Sequence, residues 1–232
     1  MVHIINRLQL SSDGLVVKGT KQVPHLQQGA MDGACAVYSM MMCLIILRSI
    51  HRNDVVSLDD DKIKGNTSKG RLIRTFLHYN GFVRRGYTLE ALKDDLLHSY
   101  QKKVDANLFS IEDGADILME IIIDNLNNNI PVELGFQRKG KMGHAVVAIG
   151  YEKNTTEVLL YILDPGYPIV YGQYWNNVIH VDLNSNRKFN AFNFIEKESI
   201  RIPRRRAYCY ARCNSRERRA YCRKSRGRRT YC

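Results

Sequence analysis

The sequence predicts an α+β fold in which a helical first half packs against an antiparallel β-sheet formed by the second half. Two observations support this prediction. The stretch from Cys35 to Ile50 is apolar on almost every side, as in a buried helix. After Pro131 the apolar residues instead form short β-branched and aromatic runs separated by turn residues. Helices followed by strands indicate two packed halves, and a site between them would draw side chains from both.

The remaining elements follow from local patterns. Short extended pieces are expected at His3 to Ile5 and Leu15 to Lys18, and a loop at residues 27–34 then leads to the buried helix, with Asp32 and Gly33 as start signals. After a polar loop, helices are expected at residues 71–78, 89–101 and 112–127. Strands are expected at residues 132–136, 144–151, 157–163 and 178–181.

Charge divides the chain near residue 200. The net charge is +12, and residues 201–232 hold twelve Arg, one Lys and one Glu, so this tail accounts for all of it. The tail also holds four of the six cysteines and repeats the pattern RRAYC or RRTYC three times. We therefore predict a folded domain over residues 1–200 and a basic tail over 201–232 that is disordered or forms a small peptide unit.

Three roles are open for this tail. It could be a solvated extension without a function of its own. It could be an arm that binds nucleic acid or an anionic membrane, with an affinity that falls steeply as salt rises. It could also be a cargo peptide released near residues 201–206, since it faintly resembles an arginine-rich defensin, although it has four cysteines where six are usual.

Several other classes of protein are not favoured. The longest apolar run, residues 34–47, is shorter than the ~20 residues that a membrane span needs. The first ten residues lack the apolar core of a secretory signal, which predicts a cytoplasmic location, with export by another route left open. No CxxC pair is present, so neither a metal nor another cofactor is expected.

Cys35 is the best candidate for a nucleophile. It stands at the predicted start of the buried helix, where free N–H groups and the helix dipole favour a thiolate. Small neighbours, Gly33, Ala34 and Ala36, would allow a substrate backbone to approach. Cys43 lies two turns deeper in the same apolar run and is predicted to be packing. Cys35 alone could be packing as well, so the prediction depends on a partner histidine.

His144 is the best candidate for that partner, because it follows Gly143 at the head of an apolar strand. Only His25, near the glutamine loop, competes with it. Asp164 closes the next strand twenty residues later, where a hairpin would return it to His144 and let it accept the second ring N–H. Gln28, with Gln27 as an alternative, lies just before Cys35 and could donate a hydrogen bond to an oxyanion.

These motifs resemble a known family. The segments QQGAMDGACAVYSMMMCLIIL, GHAVVAIGYE and ILDPGYP are similar in order and spacing to the papain-like cysteine peptidases, most closely the bacterial C39-type (double-glycine, bacteriocin-processing) domains. The resemblance covers residues 20–185 and implies a papain-like fold, with Cys35 as nucleophile, His144 as base and acid, Asp164 as the orienting residue and Gln28 as oxyanion donor. The chain departs from the pattern in having Gln28 seven residues before Cys35, where six are usual, and Ala36 where Gly is usual.

The sequence therefore predicts a cysteine peptidase that hydrolyses peptide bonds through a thioester acyl-enzyme. A deamidase, a transglutaminase or an amidase could use the same residues, since a triad defines a chemistry and not a substrate. The alternative without catalysis is a binding protein on the same scaffold that acts through its basic tail.

Overall fold

The computed structural model of the chain describes residues 1–29, 33–56, 64–78, 86–100, 104, 106–110, 115–138, 143–183 and 194–201. Its helices are α1 (Cys35–Ile46), α2 (Arg52–Val56), α3 (Ser68–His78), α4 (Leu89–Tyr100) and α5 (Ala115–Asn127). Its strands are β1 (His3–Ile4), β2 (Leu8–Ser11), β3 (Gly14–Val17), β4 (Asn107–Ser110), β5 (Val132–Arg138), β6 (Gly143–Lys153), β7 (Glu157–Leu163), β8 (Asn177–Asp182) and β9 (Phe194–Arg201).

Seven of these strands form one antiparallel sheet in the order β4-β9-β5-β6-β7-β8, with β1 added beside the far end of β6. The strands β2 and β3 form a separate hairpin. Where β1 meets β6, a Cβ atom on Gly150 would lie 2.3 Å from the carbonyl oxygen of His3, so only glycine fits that position. The expected mixture of helices and antiparallel strands is confirmed.

Helix α1 packs on β5 and β6 and forms the centre of the core. Every residue of α1 except Cys35 and Tyr38 is buried, which explains why its sequence is apolar on all sides. The helix ends at Ile46 and not at Ile50, because Arg48 takes up a left-handed conformation with φ of 55°. Ala34 occupies the N-cap, while Asp32, the predicted start signal, lies outside the described residues.

The predicted strands of the second half are all found, as β5 to β8. Helix α3 begins at Ser68, three residues before the start that was predicted at residue 71, and α5 is described from Ala115. The short elements β2, α2 and β4 were not predicted, and neither was β9, which enters the sheet between β4 and β5. Apart from Arg201, which ends β9, the predicted basic tail lies outside the described residues. Within the described part, no helix is long and apolar enough to cross a membrane.

Candidate functional site

The first turn of α1 forms one wall of the candidate site. Cys35 is the first helical residue and is half-buried, and among the described residues no side-chain capping hydrogen bond is made at the N-cap, Ala34. The first turn of any helix has N–H groups without partners inside the helix, and here no acidic residue stands among them. The local field in front of this helix end therefore favours negative charge.

His144 faces this helix end from the second residue of β6. Its Nε2 lies 2.8 Å from Oδ1 of Asp164, and the ring also hydrogen-bonds the Cys35 thiol. Because Nε2 donates to Asp164, Nδ1 is the nitrogen left for the thiol. Phe136, the partner of His144 across the β5–β6 ladder, packs against the imidazole with ring centroids 5.7 Å apart at 75°. The ring is thus held by a hydrogen bond at each nitrogen and by an aromatic edge.

Asp164 directly follows β7 and is almost fully buried, with an exposed fraction of 2%. Both of its carboxylate oxygens are hydrogen-bonded. Oδ1 accepts from His144 and, at 2.8 Å, from the backbone N–H of Gly166, while Oδ2 accepts from Nδ2 of Asn177 at 3.1 Å. A Cβ atom on Gly166 would lie only 3.2 Å from Oδ1, so a side chain there would crowd the carboxylate.

Charge in the site is concentrated on the histidine and the aspartate. Burial alone would lower the pKa of His144, but its hydrogen bonds to Asp164 and Cys35 outweigh burial and raise that pKa to about 9. Burial would raise the pKa of Asp164, but the hydrogen bond and the charge of His144, together with the hydrogen bonds from Gly166 and Asn177, outweigh burial and lower that pKa. At neutral pH the pair is therefore imidazolium and carboxylate, and the positive charge of the pair lies on the ring that faces Cys35.

The two candidate oxyanion donors lie in different surroundings. Gln28 is half-buried, and its backbone N–H donates to the carbonyl oxygen of Pro165 at 2.8 Å. Gln27 is exposed and lines a neighbouring pocket. The backbone of Gln28 is thus fixed to the residue that follows Asp164. His25, the competing histidine, is buried behind Asp164 and hydrogen-bonds its carbonyl oxygen.

Asn176 and Asn177 support the aspartate and were not predicted. Asn176 Oδ1 accepts the backbone N–H of Asp164 at 2.7 Å, and its Nδ2 donates to the carbonyl oxygens of Asp164 and Tyr167, each at 2.9 Å. Asn177 donates to the carboxylate itself. The paired asparagines before the fourth predicted strand were the only sequence signal for this support, and such pairs are common in turns.

Glu133 on β5 is a second feature that was not predicted. It is fully buried, and neither carboxylate oxygen has a hydrogen-bond partner among the described residues. Burial, and then the nearness of Cys35, raise the pKa of Glu133 well above its ordinary value, so the group is held as a neutral acid. A lone glutamate in the apolar run PVELGF was the signal for it.

A pocket of about 270 Å³ opens beside the first two turns of α1. Its walls are mostly apolar and include Val37, Tyr38 and Met41 from α1 and Val55 and Val56 from α2. Arg52 also lines it, but its guanidinium donates to the carbonyl oxygens of Val23 and His25. The pocket is therefore suited to an apolar group.

The structure brings three of the predicted site residues, Cys35, His144 and Asp164, into one hydrogen-bonded chain, and it places the backbone of the fourth, Gln28, beside that chain. Within the described part of the chain, no cluster of three or more His, Cys, Asp or Glu side chains could hold a metal ion.

One comparison with known proteins gives a family. The model of the Peptidase_C39 like family matches residues 20–193, which is more than half of the chain and includes every residue of the site described above. No curated protein matches the chain.

Proposed function

Because the chain belongs to the Peptidase_C39 like family, a family of C39-type papain-like peptidase domains, we propose that it hydrolyses peptide bonds with Cys35 as nucleophile and His144 as acid and base. The observation that carries this proposal is the hydrogen-bonded chain from the Cys35 thiol through His144 to the buried carboxylate of Asp164. A peptidase family implies peptide or protein substrates.

Acylation is the first step of the proposed reaction. The Cys35 thiolate attacks the carbonyl carbon of the scissile peptide bond and forms a C–S bond. The negative charge that develops on the carbonyl oxygen is met by the backbone N–H of Cys35 and by the side-chain amide of Gln28. His144 then gives its Nδ1 proton to the leaving nitrogen as the C–N bond breaks. The free amine departs and a thioester remains on Cys35.

Deacylation returns the site to its starting state. Neutral His144 takes a proton from a water molecule at Nδ1, and the resulting hydroxide attacks the thioester carbonyl. The same two donors meet the second oxyanion, the C–S bond breaks, and Cys35 leaves as a thiolate beside the imidazolium. Asp164 stays ionised throughout, because its role is to hold the ring and to stabilise its positive charge.

The pocket beside α1 suggests what the substrate carries near the scissile bond. Part of its wall comes from the first two turns of α1, which begins at Cys35, so we expect a substrate held at the thiol to lie next to it. We infer that it accepts a branched or aromatic apolar side chain of the peptide. Acidic side chains gain little there, since Arg52 already donates to two backbone carbonyls.

The tail is proposed to take no part in the reaction. Every residue of the proposed site lies between positions 25 and 177, and the family match ends at residue 193. We expect a chain truncated after Arg201, the last residue of β9, to keep its activity. Loss of activity in the truncated chain, with its fold intact, would show that the basic residues act on the substrate.

The proposed function is tested with a complex peptide mixture. Wild type and Cys35→Ala are each incubated with the mixture, and new amino termini are identified by mass spectrometry. Termini that wild type produces and the variant does not would support a peptidase. Ammonia released by wild type alone, without new termini, would instead identify a deamidase or an amidase that uses the same residues.

A further inference from the structure

His25 connects two parts of the site that the chain places far apart. Its ring is buried, with an exposed fraction of 5%, and its Nε2 lies 3.0 Å from the carbonyl oxygen of Asp164. Asn176 Nδ2 lies 3.3 Å from the same nitrogen, but its two hydrogens go to carbonyl oxygens of Asp164 and Tyr167. Nε2 of His25 therefore has the hydrogen and donates it to Asp164.

The backbone of the same segment is fixed at both ends. Arg52, at the start of α2, donates to the carbonyl oxygens of His25 and Val23, and its own N–H donates to Gln22. Three residues after His25, the N–H of Gln28 donates to Pro165. The segment that bears the proposed oxyanion donor is thus attached to the Asp164 turn at two points, and the His25 side chain is one of them.

We propose that His25 is a positioning residue that fixes the segment of Gln28 against the Asp164 turn, so that the oxyanion donor and the His144 base keep one relative geometry. This inference rests on the proposed function. Burial lowers the pKa of His25, and the nearby charge of Arg52 acts in the same direction, so the ring stays neutral with a single N–H to donate. The carboxylate of Asp164 has separate support from Asn177 and Gly166, so loss of His25 leaves the Cys35–His144 pair intact.

The test compares two reactions of Cys35 in the full chain. Alkylation by iodoacetamide displaces iodide at carbon and forms no oxyanion. Acylation by p-nitrophenyl acetate forms a tetrahedral oxyanion before the C–O bond breaks and p-nitrophenolate leaves. The burst of p-nitrophenolate that is absent in Cys35→Ala measures acylation at Cys35, because this variant retains the other reactive side chains.

His25→Phe keeps a ring but removes the donor, and His25→Gln supplies a neutral N–H in its place. We expect His25→Phe to slow the Cys35-dependent burst by about a hundredfold, the effect of a displacement of roughly 1 Å at a reacting group. The rate at which iodoacetamide alkylates Cys35 in His25→Phe should stay within about twofold of the wild-type rate. His25→Gln should recover most of the burst. Should His25→Phe fail to show a cooperative thermal transition, His25→Leu replaces it.

Three results would overturn the inference. The burst could be unchanged in His25→Phe, burst and alkylation could fall together in a folded variant, or His25→Gln could behave like His25→Phe. A wild type without any Cys35-dependent burst would instead overturn the proposed function, and this inference with it.

Discussion

The two cysteines of α1 occupy opposite chemical environments within one helix. Cys35 is half-buried at the first turn and shares a hydrogen bond with His144. Cys43, two turns later, is fully buried, and its burial, followed by the nearness of Glu133, raises its pKa well above the ordinary value. A thiol becomes reactive through an exposed helix end and a cationic neighbour, and Cys43 has neither. The comparison teaches that the position of a cysteine along a helix decides whether its thiol is available to react or is packed in the core.

The largest expected effect comes from removing each thiol in turn. Cys35→Ala should reduce peptide hydrolysis by a factor on the order of 10⁶, as for other catalytic nucleophiles. Cys43→Ala should keep the activity and lose about 1 kcal/mol of unfolding free energy, because it only shrinks a packed side chain. Hydrolysis rates and denaturant unfolding of both variants check this. Equal losses of activity would remove the distinction between the two ends of the helix.

The next effect concerns the charge behind His144. Asp164→Asn should reduce kcat/KM by about 10⁴, as in other triads whose acid is made an amide. The same substitution should also lower the alkaline limit of activity, which is the pH above which the rate falls. In wild type, activity should fall as the pH rises through about 9, where His144 loses its proton. Without the Asp164 carboxylate the pKa of His144 drops, so the fall should begin at lower pH.

A pH–rate profile of kcat/KM for both proteins measures this shift. Gln28→Ala is the matched control for the limit, because it removes a proposed donor without changing a charge near His144. Its rate should fall while its alkaline limit stays in place. An alkaline limit that is the same in wild type and Asp164→Asn would contradict the assignment of Asp164 to His144.

The third effect concerns Glu133, which is buried on β5 near Cys43. Glu133→Met should raise the unfolding free energy by about 1 to 3 kcal/mol, since it removes a buried carboxyl that has no partner among the described residues. The folded-state pKa of Glu133 is raised, so the folded state holds this proton more tightly than the unfolded chain does. As far as this group is concerned, the unfolding free energy is therefore highest below the ordinary glutamate pKa, and it declines as the pH rises to the folded-state pKa. Glu133→Gln should therefore flatten this decline.

Unfolding curves at several pH values measure both effects. The exposed Glu120 of α5 supplies the control, because Glu120→Gln should change neither stability nor its pH dependence. A wild-type decline that persists unchanged in Glu133→Gln would show that another group causes it.

The smallest effect concerns the helix face between the two cysteines. Met41 lines the apolar pocket, and Met41→Ala should reduce kcat/KM for peptides with a large apolar side chain by about tenfold. Peptides with a small side chain at that position should be affected less. Competition between the two kinds of peptide in one reaction measures the ratio directly. A uniform loss for all peptides would show that Met41 supports the helix and not the selectivity.

The sequence predicts the parts of this account that local patterns encode. The apolar run of α1, the alternation in β5 to β8 and the helix-start position of Cys35 are all local features, and the structure contains them. The return of Asp164 to His144 could also be predicted, because one hairpin joins them. These features are sufficient to place three of the proposed site residues together.

Features that depend on distant parts of the chain could not be predicted. Strand β9 enters the sheet between β4 and β5, whose closest residues are more than fifty positions away. The bond from His25 to Asp164 spans 139 positions, and only the folded chain shows that this histidine supports the site from behind. Glu133 could be recognised as an unusual residue, but its place near both thiols depends on how α1 packs on β5.

The most direct test of the account is site-resolved alkylation of the wild-type thiols from about pH 5 to about pH 9, with His144→Ala as the control. We predict that iodoacetamide modifies Cys35 rapidly even at mildly acidic pH, that His144→Ala abolishes this advantage, and that Cys43 reacts only after unfolding. Modification of Cys35 no faster than that of the four cysteines in residues 201–232 would contradict the account, because no activated thiol would then exist at the head of α1.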